Sequence, residues 1–100
     1  MTLIVAGTVR APPGHIARLR APMLEMVSAT RAEDGCIEYA YAEDLLEPGL
    51  IRVVEIWRDE AALGSHFRSA HMARWREAWP SFEVTDRRLS LFRVTQQRPL

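Results

Sequence analysis

The sequence predicts an α+β fold in which one antiparallel sheet is covered by helices on a single face. Three observations lead there. Stretches alternating with period two are separated by stretches whose apolar residues recur at three- and four-residue steps. Their order is strand, helix, strand, strand, helix pair, strand. The breaks between them carry turn-forming residues, Pro-Pro-Gly at 12–14, Gly35 and Pro-Gly at 48–49. That order is the split βαβ arrangement of ferredoxin-like βαββαβ protomers. One hundred residues make a single small domain, 1–100.

Residues 2–10 place Leu3, Val5, Gly7 and Val9 on one side and Thr2, Ile4, Ala6 and Thr8 on the other. Both sides are apolar or small, as in a strand covered on both faces. Gly7 in mid-strand marks either a bulge or a close approach of something bulky. A helix follows with Ile16, Leu19, Met23, Met26 and Val27 on one face and Pro22 as a kink inside it; His15 stands exposed at its start. Residues 31–35 close this helix, and Gly35 suits the left-handed turn after it.

The second strand is Cys36–Glu43, with Ile37, Tyr39 and Tyr41 sharing a side. A turn over 44–49 leads to a third strand, 50–58, with Ile51, Val53, Glu55 and Trp57 on one face. Asp59 suits a helix cap. Leu63, Phe67, His71, Trp75 and Trp79 then recur every four residues. A break near Ser69 is expected, with Ser69 capping a second short helix and Pro80 stopping the run. Residues 82–96 supply a last strand with a bulge or bend at Asp86-Arg87-Arg88, and 97–100 a tail.

Composition excludes several classes. Formal charge is zero and no basic run exceeds the pair Arg87–Arg88, so neither nucleic acid nor an anionic membrane is an expected partner. All 13 basic residues are Arg, which removes any lysine Schiff-base chemistry. Cys36 is alone, so an internal disulfide and a four-cysteine metal site are ruled out. The first residues lack the basic lead of a signal peptide, and the expected address is cytoplasmic. With helices on one sheet face only, the other apolar face needs a cover, and a homodimer is the simplest.

The chemistry-bearing residues concentrate between 50 and 79, which holds two of three His and all three Trp. Glu55 lies mid-strand among apolar residues, where a carboxylate must be hydrogen-bonded, paired or protonated. It is either the partner of an Arg or of a backbone donor, or a pocket residue. His66 points towards the sheet with Leu63; imidazole is the natural general base near neutral pH, above all if a carboxylate orients it. Trp57 and Tyr39 belong to the same interior as aromatic walls, and His71, Phe67 and Leu63 are candidate substrate contacts. His71 reads equally as helix packing. A metal site on His66 and His71 is not expected: on a straight helix that spacing turns the rings about 140° apart, and no HxxxH or HExxH spacing occurs. No phosphate loop, dinucleotide fingerprint or nucleophile elbow is present.

Two segments resemble a known family. Thr30-Arg31-Ala32-Glu33-Asp34-Gly35-Cys36 followed by Tyr39 is similar to one signature of the antibiotic biosynthesis monooxygenase domains. Glu55-Ile56-Trp57-Arg58-Asp59-Glu60-Ala61-Ala62-Leu63, followed by His66, Ser69 and His71, resembles the other. The resemblance implies a dimeric α/β-barrel of ferredoxin-like protomers with a pocket between sheet and helices. It implies oxygenation of quinol-like or polyphenolic aromatics by O2 without flavin, haem or metal, with His66 as base or hydrogen-bond partner and Glu55 as its orienter. The family's polyketide oxygenases use an Asn with the Trp, and its haem-degrading relatives an Asn, a Trp and a His. This chain has no Asn, which argues against haem degradation. A non-catalytic binding or stress-response module and an isomerase of the same superfamily are the alternative readings.

Overall fold

The computed structural model describes all 100 residues. Strand β1 (Leu3–Arg10) is followed by α1 (Ile16–Arg31), β2 (Cys36–Glu43), β3 (Leu50–Trp57), α2 (Glu60–Phe67), α3 (Ala70–Phe82) and β4 (Thr85–Arg93). The four strands form one sheet in the order β2-β3-β1-β4, and every neighbouring pair is antiparallel. This is the ferredoxin-like topology anticipated from the element order. No helix is long and apolar enough to cross a membrane.

The period-two pattern builds the core. Leu3, Val5 and Val9 of β1 and Ile51, Val53 and Trp57 of β3 project to the helix side and are almost fully buried. Leu19 and Met26 of α1, Leu63 of α2, and Met72 and Trp75 of α3 close over them. On the opposite face Ile4 pairs with Ile56 and Phe92, and Ala6 with Val54. That face stays open: Val54 and Phe92 are both exposed.

Three local expectations are corrected. Ile37 does not share a side with Tyr39, because a bulge between Cys36 and Glu38 shifts the register; Cys36 packs against the core while Ile37 is 60% exposed. Helix α3 does not stop at Pro80 but runs to Phe82, where Glu83 takes up a left-handed conformation (φ 54°). The helix tolerates Pro80 so near its end because the missing N–H removes only one bond of the last turn. The last strand therefore starts at Thr85 and not at Phe82, and it ends at Arg93. Its bend does fall at Asp86, where φ is +50° and the pairing with β1 shifts between Thr8 and Arg10. Gly7 lies opposite this irregularity, and a Cβ there would sit 1.9 Å from the Arg88 carbonyl oxygen. Glycine is needed because the neighbouring backbone occupies that space.

The helical pair breaks where capping chemistry directs it. The Asp59 carboxylate accepts from the Ala62 amide at 2.9 Å, and the Ser69 hydroxyl accepts from the Met72 amide at 3.3 Å. Each satisfies one of the amides a helix start leaves unpaired.

Candidate functional site

Strand alternation puts Glu55 and Trp57 on the same buried face of β3, 4% and 0% exposed. The Trp57 indole Nε1–H donates to the Glu55 carboxylate at 2.9 Å. Of the two readings left open by the sequence, an Arg partner is not what the structure shows; the indole holds the carboxylate. Burial pushes the Glu55 carboxyl above its ordinary value, and the indole bond and the Arg87 charge only partly oppose this.

His66, 1% exposed, lies against these groups. Its ring centroid is 4.7 Å from Trp57, 5.3 Å from Tyr39 and 5.8 Å from Phe67. The carboxylate that touches it is Glu33, not Glu55: Oε2 of Glu33 is 2.7 Å from His66 Nδ1. The same oxygen is 3.0 Å from His71 Nε2. Burial lowers the His66 pKa, and the Glu33 bond and charge act against that shift. The net direction favours the neutral, proton-accepting imidazole.

Both corrections have structural causes. Glu33 follows the last turn of α1, and its position is fixed by its own amide bonding to the Thr30 carbonyl. Nearby, Arg31 Nε donates to the Tyr39 carbonyl at 2.8 Å and ties the helix end to β2. In the sequence Glu33 belongs to a helix ending, marked only by its place inside the first family-like segment. His66 and His71 meet because they occupy different helices. The turn at Ser69 redirects the chain, so the straight-helix separation of about 140° does not apply.

Tyr39 is 1% exposed and stacks on Tyr41 at 5.6 Å. Burial raises the pKa of both phenols, so both remain protonated donors. The Tyr39 hydroxyl and the indole N–H groups of Trp75 and Trp79 are buried without a hydrogen-bond partner. Buried donors are normally satisfied, so this set is chemically distinctive.

A recess of about 210 Å³ opens between α2 and β4, lined by Val5, Leu63, Phe67, Arg87, Leu89, Ser90 and Leu91. Of the candidate substrate contacts, Leu63 and Phe67 therefore border it. His71 lies elsewhere, on a groove with Pro22, Glu25 and Arg74. Glu55 sits one strand further in, since it pairs with Val5, which pairs in turn with Leu91.

Comparison with known proteins places this architecture. A sequence profile described as antibiotic biosynthesis monooxygenase matches residues 2–78. The chain belongs to that family. Among relatives of this antibiotic biosynthesis monooxygenase domain, Rv0793 of Mycobacterium tuberculosis, whose name gives it provisionally as a monooxygenase, is 38% identical over 78 residues, 76% of each chain. An uncharacterised Synechocystis protein is 26% identical over 98% of this chain and 67% of its own. A family structure from Deinococcus radiodurans superposes with a TM-score of 0.88 at 28% identity, covering 100% of this chain and 98% of the other. SnoaB of Streptomyces nogalater, a cofactor-independent oxygenase, shares the fold (TM-score 0.81, 99% and 98% coverage) at 10% identity.

Proposed function

We propose that this domain is a cofactor-independent monooxygenase that oxidises a hydroxylated aromatic, quinol-like or polyketide-like, with O2. The observation that carries the reading is the buried His66 packed on Trp57 and Tyr39 and held at Nδ1 by Glu33. In this reading Nδ1 carries the proton donated to Glu33, and Nε2 accepts the proton of the phenol or its tautomeric ring carbon. The electron-rich anion then reduces O2 itself. A ring CH2 and O2 become a ring carbonyl and water, the substrate supplying all four electrons. The protein binds the ring, takes the proton and excludes water.

Family membership and the name of the SnoaB fold relative support this reaction class. Leu63 and Phe67 at the recess supply an apolar contact. Glu55 and Trp57 act as one unit that fixes the aromatic wall. The site works in a homodimer in which the open face around Ile4, Val54, Ile56 and Phe92 is covered by a second copy.

The test is O2 uptake with a panel of dihydroxynaphthalenes and anthrones. Uptake above the uncatalysed rate is expected, falling on the order of 10²–10⁴-fold in a folded His66→Gln variant. Ligand-induced stabilisation without uptake would establish a binding module instead, and product formation without O2 an isomerase.

A further inference from the structure

We propose that Glu33, His66 and His71 form a binding site for one divalent transition-metal ion of the zinc or cobalt type. Two imidazole nitrogens and a carboxylate oxygen lie within 4.8 Å of one another, a convergence produced by three separate parts of the fold. The contacts from Glu33 Oε2 to His66 Nδ1 and His71 Nε2 are 2.7 and 3.0 Å. Around a tetrahedral ion with bonds of about 2.0–2.2 Å, donor atoms stand roughly 3.3–3.6 Å apart. Loading the site therefore asks the carboxylate to draw back from both rings by some tenths of an ångström while the two ring nitrogens, within 4.8 Å of each other, settle to the tetrahedral spacing, the ion replacing the protons now shared with Glu33.

The donor set decides the class of ion. Imidazole nitrogens favour zinc, cobalt, nickel or copper over calcium and magnesium, which take oxygen ligands. Three protein ligands leave a coordination position for water, the arrangement of open zinc sites. An approach exists from two sides. Glu33 borders a surface cleft with Asp34, Arg58, Ala61, Ala62 and Ser65, and His71 borders the groove beside Pro22 and Glu25. The side chains of Glu33 and His71 are 15% and 14% exposed, whereas His66 forms the buried wall. The cations nearest these openings are already matched, Arg58 by Asp34 and Asp59, Arg74 by Glu25.

Binding is measurable without turnover, and an ion on His66 Nδ1 would leave Nε2 protonated, so the metal-loaded form is distinct from the metal-free form in which Nε2 acts as base. Chelator-treated protein is titrated with Co2+ at neutral pH and followed by visible absorption and calorimetry. One ion per chain is expected, displaceable by Zn2+. Glu33→Gln and His71→Ala, at partly exposed positions, should each weaken binding by more than about tenfold. His15→Ala, which lies beside Glu83 (3.6 Å), should leave it unchanged. In the unaltered protein, Co2+ should broaden the ring proton resonances of His66 and His71 and spare His15. Absence of saturable binding, undiminished binding in both folded variants, or broadening confined to His15 would overturn the site.

Discussion

Two carboxylates bond to the same aromatic cluster, one through Trp57 and one through His66, and they are treated differently. Glu55 sits in the middle of a strand, 4% exposed, with one indole N–H as its partner. Glu33 sits in the turn after α1, with its side chain 15% exposed, and a single oxygen meets two imidazoles. The first is a carboxyl under desolvation and pushed towards its protonated form. The second bridges two imidazoles from different helices. Position in the chain explains the contrast. A strand interior offers one face and few donors, whereas a turn can gather groups from several elements.

Removing the aromatic partner is the most severe way to break this comparison. Trp57 is fully buried and among the largest core side chains. Trp57→Ala should cost about 3–5 kcal/mol of stability, read from urea midpoints. The milder Trp57→Phe keeps the packing but leaves Glu55 without its donor, so it should lose less and still shift the Glu55 titration upward. On the other side, Glu33→Ala strips both histidines of their shared acceptor and should cost about 1–3 kcal/mol. If that variant is as stable as the parent, Glu33 organises nothing.

A pH series separates the two carboxylates. The raised folded value of Glu55 means that the native state binds more protons than the unfolded chain above the ordinary carboxylate range. Stability from this group therefore declines as pH rises through that window, by at most about 1.4 kcal/mol per pH unit. Glu55→Gln should flatten that decline and gain on the parent towards neutral pH. An unchanged slope in urea midpoints from pH 4 to 8 would mean that the folded protein holds Glu55 as a fully compensated anion.

The contrast also shows what the amino-acid order could reveal. The sheet and its core were legible, because Leu3, Val5, Val9, Ile51, Val53 and Trp57 alternate with strand period and burial follows alternation directly. Glu55 and Trp57 were legible as a pair for the same reason, being two residues apart on one strand. Glu33 was not legible as a partner of His66, 33 residues away, because no local periodicity links a helix-end turn to another helix. Ile37 was misplaced because a bulge changes parity without leaving a mark in an apolar stretch. The meeting of His66 and His71 was misjudged more instructively. Ser69 caps the second helix, so the straight run over which a ring separation of about 140° would hold ends there.

That residue supplies the smallest and most discriminating change. Ser69 accepts from the Met72 amide, donates to the His66 carbonyl at 2.7 Å and stands 3.3 Å from His71 Nε2. Ser69→Ala loses a helix cap, which should cost about 1 kcal/mol in denaturation midpoint terms. Its greater value is geometric. If the Ser69 turn is what brings His71 to Glu33, the variant should perturb the His71 ring resonances far more than those of His66, which Glu33, Trp57 and Tyr39 hold independently. Equal perturbation of both rings would show that the cluster moves as one body and that the turn is a consequence of the Glu33 contacts, not their cause.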